Sequence, residues 1–132
     1  MSKRFLKKII AQSPEDLRII SALCSNSKIK QSEIKFLKKN KVFLIPLERN
    51  LREKFNKNNK INSIIKFEFV DSSKSKNINQ KNNENILQLL TIELFKSEKN
   101  FEIVIFFLNN AAITLSAEVL EVTLEDLNTW LK

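Results

Sequence analysis

The sequence contains no glycine, no histidine and no tyrosine, and it has a single cysteine, Cys24. Without glycine, the chain cannot form the loops in which backbone closely approaches a phosphate, so the Walker and Rossmann motifs are excluded. Without histidine, it lacks the commonest general base and metal ligand, and Ser-His and Cys-His catalytic pairs are excluded. One cysteine permits neither an internal disulfide nor a multi-thiolate zinc site. The sequence therefore predicts no familiar catalytic residues, no metal site and no cofactor.

Long hydrophobic runs are also missing. The longest uninterrupted apolar run covers residues 103–108, whereas a membrane-spanning helix needs about 20 apolar residues. The apolar stretch Ile9-Ile10-Ala11 that follows the basic N-terminus is too short for a signal peptide, whose hydrophobic region is about 7–15 residues long. With 132 residues, 42% of them hydrophobic, the chain is expected to be one soluble, cytoplasmic domain covering residues 1–132, without a membrane span.

Positive charge is abundant but unevenly distributed. The formal net charge is +8; residues 1–84 hold 20 basic and 8 acidic side chains, and residues 85–132 hold 3 and 7. A basic half attracts phosphates or an acidic partner. The high content of Lys, Asn and Ile also fits a coding bias that would scatter lysines over a solvated surface. Both interpretations are open at the level of the sequence.

Residues 28–60 form the most basic segment, with 11 basic and 3 acidic side chains. Flexible cations of this kind are sufficient for contacts with phosphates. Base stacking would also need exposed aromatic side chains, and Phe55 is the phenylalanine best placed for it. The candidate basic surface consists of Lys38, Lys39, Lys41, Arg49, Arg52, Lys54, Lys57 and Lys60.

The clearest helix signal begins at Ser13. Ser13 can cap a helix, Pro14 suits the first helical position, and Glu15 and Asp16 would lie at the positive end of the helix dipole. Apolar residues then recur at helical spacing, which predicts a helix through Cys24 and one or two residues beyond. Because Cys24 lies on this apolar stripe, it is expected to be a buried thiol.

Strand signals occupy most of the remaining sequence. Pro46 cannot donate a ladder hydrogen bond, so it is expected at a sheet edge or at the frayed end of its strand. Phe67 and Phe69 are expected to point inward together. Asn109-Asn110 is expected to form a tight hairpin turn, since asparagine tolerates positive φ. Extended segments are predicted over residues 4–12, 33–38, 41–48, 63–71, 86–96, 101–108 and 111–122.

Two further segments complete the prediction. Residues 72–84 are rich in Ser, Lys and Asn and are expected to form an exposed flexible loop. Residues 124–131 are expected to form a short C-terminal helix. The predicted fold is α+β: a mainly antiparallel, strongly curved or partly closed sheet of about seven strands, with one helix near the N-terminus and one at the C-terminus. A barrel of the pleckstrin-homology type is one version of this architecture.

The segment 101–108 is apolar on both sides. Ile103, Ile105 and Phe107 share one parity, whereas Val104 and Phe106 share the other. Both faces of such a strand need cover. The cover is either another layer of the same fold or a second copy of the chain, so a homodimer is one possible assembly.

The order of these segments resembles the bacterial family known as domain of unknown function 2948. Family members tend to have a glycine-rich turn where this chain has Asn109-Asn110, and an aromatic, acidic stretch that is missing after Arg49. The resemblance supports the fold and implies no activity. It rests on short patterned stretches at residues 13–22, 34–37, 43–49, 64–70, 87–94, 106–119 and 125–127.

Three functional hypotheses follow. The first is a non-enzymatic protein-binding or adaptor module, because the sequence predicts a good core and sheet surfaces without a catalytic centre. The second is a nucleic-acid-binding domain that uses the basic segment 28–60. The third is an enzyme that works with carboxylates, Lys and Ser in the absence of His. Its acidic candidates are Glu118, Glu121, Glu125 and Asp126.

Overall fold

A computed structural model describes residues 7–51 and 59–127 of the chain. Within these residues there are one α-helix, α1 (Pro14–Cys24), two 3-10 turns and ten strands. The 3-10 turns cover Gln31–Glu33 and Lys38–Asn40. The strands are β1 (Lys8–Ala11), β2 (Lys28–Lys30), β3 (Lys35–Leu37), β4 (Val42–Asn50), β5 (Lys60–Phe67), β6 (Val70–Lys76), β7 (Ile86–Lys96), β8 (Phe101–Phe107), β9 (Ala111–Ala117) and β10 (Val122–Asp126).

All ten strands belong to one antiparallel sheet, with the order β1-β10-β5-β4-β2-β7-β8-β9-β6 and with β3 added beside β4. The predicted antiparallel α+β class is therefore confirmed, but the prediction of about seven strands was too low. The short strands β2 and β10 carry too few alternating residues to be recognised in the sequence, and β5 and β6 were predicted as one strand. The sheet does not close into a barrel along this path, although the Val70 N–H bonds to the Lys41 carbonyl at 2.8 Å.

The helix α1 has the predicted start. The Ser13 hydroxyl accepts a hydrogen bond from the Asp16 N–H at 3.2 Å, and Pro14 occupies the first turn. Its buried face includes Ser21, whose hydroxyl accepts the Ile92 N–H of β7 at 2.9 Å. The helix therefore covers the open edge of β7 as well as the core, which is one way in which proteins protect a strand edge.

The strands β7 and β8 match the predicted segments closely, whereas β9 ends at Ala117, before the predicted end at residue 122. Asn109 and Asn110 have φ values of 68° and 61°, so the two asparagines form the tight turn expected in place of glycine. Ile103, Ile105 and Phe107 of β8 are buried. They belong to a single hydrophobic cluster to which both halves of the sheet contribute.

Three local predictions were wrong. The strand predicted over 63–71 is divided between β5 and β6, because the chain turns at Phe69, whose φ is 59° and whose side chain is 42% exposed. The exposed loop predicted over residues 72–84 starts only after Lys76, since β6 extends through Lys76 to pair with β9. The helix predicted over residues 124–131 is contradicted at its start, where β10 runs to Asp126.

The strand β10 forms instead of that helix because its residues alternate between the two faces of the sheet. Val122, Leu124 and Asp126 are buried, and β10 lies between β1 and β5. The rest of the predicted helix, including Trp130, lies outside the described residues apart from Leu127. Among the described residues, no helix is both long and apolar enough to cross a membrane.

Candidate functional site

Two charged side chains are buried in the described structure, those of Arg49 and Asp126. The Arg49 side chain is 2% exposed, so it does not belong to the predicted basic surface. Arg49 follows Leu47 on the inward parity of β4, and this alternation points its side chain toward the core. There its Nη2 donates to Oδ2 of Asp126 at 2.7 Å and its Nε donates to Oδ1 at 3.0 Å.

The Asp126 carboxylate is fully engaged. Oδ1 also accepts from the Ser63 hydroxyl at 2.7 Å, and Oδ2 accepts from the Lys7 N–H at 2.9 Å. Burial by itself raises the Asp126 pKa, but the hydrogen bonds from Arg49, Ser63 and Lys7 outweigh it and hold that pKa below its usual range. Since a carboxylate offers about four acceptor positions, none is left for a substrate. This pair is structural.

The other carboxylates proposed for a histidine-free enzyme are not brought together with Asp126. Glu118 pairs with Lys41, and Glu121 accepts a hydrogen bond from Gln12 at 3.0 Å. Glu125 lies opposite Lys8 in the β1-β10 ladder. Among residues 7–51 and 59–127, no group of three or more Cys, Asp and Glu side chains is placed to hold a metal ion.

Cys24 is fully buried at the end of α1, as the apolar stripe indicated. Burial raises the pKa of its thiol to about 12; the charge of Arg49 opposes this shift and that of Asp126 adds to it. At neutral pH the group is therefore a protonated thiol, which is a poor nucleophile.

The predicted basic surface is divided by the length of β4. Lys38, Lys39 and Lys41 lie before its first residue, whereas Lys60 pairs with Asn50 at its far end. Nine residues of strand span roughly 27 Å, so the two groups do not form one patch. The remaining candidates of this surface, Arg52, Lys54 and Lys57, lie outside the described residues, as does Phe55.

Two of these lysines are also neutralised locally. Lys41 contacts Asp71 and Glu118, each at 3.1 Å, and these two hydrogen bonds raise its pKa. Lys60 lies 3.7 Å from Glu48. Only Lys38 and Lys39, of the candidates that the structure describes, are exposed and free of an ion pair with another described residue.

A different group of lysines surrounds a groove of about 920 Å³ on the outer side of β4. Strand β2 pairs with β4 only at Lys28↔Glu48, and β3 pairs with β4 only as far as Leu44. Pro46 lies in the gap between them, which agrees with its expected position at a local edge. The groove is lined by Lys28, Ile29, Lys30, Ser32, Glu33, Lys35, Pro46, Leu47, Glu48, Asn62, Ser63, Ile86 and Leu127.

The groove combines cations with exposed apolar side chains. Lys28, Lys30 and Lys35 form no ion pair with any residue in the described part of the chain. Ile86 is 55% exposed and Leu127 is 38% exposed, at two different positions along the same groove. A ligand with negative charges and apolar side chains would match this lining.

Sequence reasoning missed this site, although all three lysines belong to the basic segment 28–60. The usable signal was the alternation in Lys28-Ile29-Lys30, which places both lysines on the face opposite the buried Ile29. The strand is only three residues long, however, so the pattern was too short to recognise. The gap that β2 and β3 leave over β4 results from the pairing of distant strands. No short stretch of the sequence predicts it.

Comparison with known proteins gave one match. The family described as "Protein of unknown function (DUF2948)" matches residues 7–132, nearly the whole chain. No curated protein and no solved structure matches.

Proposed function

We propose a binding function for this chain, which belongs to the DUF2948 family: a non-enzymatic module that holds an acidic peptide segment of a partner protein. The observation that carries the proposal is the groove beside β2, where three lysines without ion-pair partners among the described residues surround the exposed Ile86 and Leu127. A family of unknown function supplies no activity to start from, so the proposal rests on this lining.

The chemistry of the groove favours a peptide over a small molecule. Its three lysines are exposed along an open groove, beside Glu33 and beside Glu48, which is already paired with Lys60. Small-molecule sites instead enclose a ligand with a few fixed polar groups. An extended acidic segment can place carboxylates near Lys28, Lys30 and Lys35 and apolar side chains near Ile86 and Leu127. The charges would mainly speed association and select the partner, and the apolar contacts would supply affinity.

Peptide selection tests this proposal. Random 12-residue peptides displayed on phage would be selected against the immobilised protein at about 150 mM salt. We expect the selected peptides to be rich in Asp and Glu with interspersed apolar residues, and to lose at least tenfold in affinity for the double variant Lys28→Glu/Lys30→Glu. The matched control is Lys38→Glu/Lys39→Glu, which makes the same charge change at the other end of β4.

Two results would count against the groove. One is a failure to select any peptide that distinguishes the protein from an unrelated basic domain. The other is binding that the Lys38/Lys39 variant weakens as much as the Lys28/Lys30 variant does, since that would indicate general charge attraction.

A nucleic-acid partner is the second candidate, because the same three lysines belong to the basic segment 28–60. A labelled 20-nucleotide DNA or RNA would then bind with an affinity that falls steeply with salt, and Lys28→Glu/Lys30→Glu would abolish this binding. A cytoplasmic location, a bacterial origin and a single-domain organisation stay predictions from the sequence.

A further inference from the structure

The sheet has a second outward surface, formed by β7, β8, β9 and β6. The ladder registers align its outward residues in three rows, each of which crosses all four strands. We call this surface the meander face. Its rows are Phe95-Glu102-Ser116-Ser72, Glu93-Val104-Thr114-Lys74 and Thr91-Phe106-Ala112-Lys76.

The middle of the meander face is apolar and incompletely covered. Val104, Phe106 and Ala112 are only partly buried, and Phe95 at its margin is 52% exposed. The opposite side of β8, by contrast, holds the fully buried Ile103 and Ile105. Both sides of β8 are apolar, and the hydrophobic core of the same chain covers the side that holds Ile103 and Ile105. On the other side, the described residues leave Val104 and Phe106 only partly covered.

Charge on the meander face is segregated by strand. Glu93 and Glu102 lie on β7 and β8 at one margin, whereas Lys74 and Lys76 lie on β6 at the other. None of these four side chains forms an ion pair with another residue in the described ranges. The Thr91 hydroxyl donates to Glu93 at 2.9 Å and orients its carboxylate.

We propose that the meander face binds the same face of a second copy of this chain, with the two-fold axis parallel to the strands. This rotation places β7 of one copy over β6 of the other, so that the acidic margin of each copy meets the basic margin of its partner. In the central row, Glu93 then lies opposite Lys74 of the other copy, and the symmetry repeats the pair.

The side-chain sizes fit the same axis. The two-fold axis places Phe106 over Ala112 of the other copy, so that a large side chain meets a small one. In the next row, the axis places Val104 over Thr114 of the other copy. Two sheets that pack face to face at about 10 Å need such alternation of large and small residues. A two-fold axis perpendicular to the strands would instead place β7 over β7 and bring Glu93 close to its own copy.

Edge-to-edge pairing is the main alternative and is disfavoured at both edges of this half of the sheet. Lys74 and Lys76 lie on the edge strand β6, and lysines on an edge oppose the addition of another strand. The edge of β7 is already occupied by β2 and by α1 through Ser21. The face is therefore the surface available for self-association.

The size of the meander face sets the expected strength. Four strands of about seven residues present roughly 450 Å² in projection, given about 4.8 Å between strands and 3.4 Å per residue. That is below the area of a standard stable interface. We expect a reversible dimer with a dissociation constant on the order of 100 μM, which populates mainly at high concentration.

Sedimentation equilibrium from about 10 μM to 1 mM tests the proposal. The mass is expected to rise from 15.4 kDa toward twice that value. Glu93→Lys should weaken the dimer about tenfold, since it converts two attractions into two repulsions, and Lys74→Glu should do the same. The double variant Glu93→Lys/Lys74→Glu should recover most of the wild-type affinity, because it exchanges the two members of each pair.

Matched controls make the same charge changes in the exposed loop after β6. Glu84→Lys and Lys81→Glu should leave the dissociation constant unchanged, and circular dichroism should confirm that every variant is folded. A wild-type chain that stays monomeric at 1 mM would overturn the proposal. So would a dimer that neither single charge reversal weakens, because another surface would then hold it together. These variants leave the groove lysines intact, so the outcome is independent of peptide binding.

Discussion

Arg49 on β4 and Asp126 on β10 form an ion pair across the intervening strand β5, with 2.7 Å between Nη2 and Oδ2 and with 2% and 1% of the two side chains exposed. Ser63 of β5 lies between them and donates to the same carboxylate at 2.7 Å. Three strands are thereby joined at one end of the core. Removal of one member would leave an uncompensated charge in a place that water does not reach.

We therefore expect Asp126→Leu and Arg49→Met each to lower the free energy of unfolding by about 3–5 kcal/mol. The double variant Arg49→Met/Asp126→Leu should be much less destabilised than the sum of its single variants, because neither buried charge remains. Urea denaturation of the single and double variants measures this coupling. Equal and additive losses would show that the pair is not coupled.

The low pKa of Asp126 predicts a dependence of stability on pH. Its folded-state pKa lies below the unfolded value of about 3.9, so the ionised form stabilises the fold above that value. This contribution is lost as the pH falls from about 5 through the folded-state pKa. The unfolding midpoint of the wild type should drop over this range, and Asp126→Asn, which cannot titrate, should drop less steeply. Parallel pH profiles would contradict this prediction.

The hydrogen bond between α1 and β7 predicts that removal of a single hydroxyl group lowers the stability of the protein. Ser21→Ala removes the acceptor of the Ile92 N–H, a buried donor on a strand edge. The free energy of unfolding should fall by about 1–3 kcal/mol. Ser72→Ala, at an exposed position on β6, is the matched control and should change stability by less than about 0.5 kcal/mol.

The burial of the Cys24 thiol predicts that it reacts slowly with thiol reagents in the folded protein. With a pKa of about 12, it should react with a disulfide reagent such as dithionitrobenzoate at pH 8 only as fast as the protein opens. In denaturant, one equivalent should react within the mixing time. Rapid stoichiometric labelling of the native protein would mean that Cys24 is accessible.

Local patterns determined a good part of this protein. The start of α1 followed from Ser13 and Pro14, since capping involves only neighbouring residues. The meander β7-β8-β9 followed from alternation over long strands and from Asn109-Asn110, because strand faces and tight turns are also read over a few residues. The family resemblance, confirmed over residues 7–132, rested on these same patterns.

Tertiary structure decided the features that depend on distant partners. Arg49 looked like one more surface cation, and only the approach of Asp126, 77 positions away, makes a buried position tolerable for it. Pairing with β1 and β5 likewise makes residues 122–126 the strand β10, where the sequence predicted the start of a helix. The groove also depends on pairing, since Lys28, Lys35 and Leu127 meet only because β2 and β3 leave a gap over β4.

The sequence by itself thus determined the helix α1 and the strands β4, β7, β8 and β9, because those preferences arise from contacts within a few residues. The structure alone decided, for the residues that it describes, which charges are buried in a pair and which apolar residues are only partly covered. A charged group can be buried only where its interaction with a partner offsets the free energy of its desolvation. Strand pairing in the sheet determines which partner each group contacts.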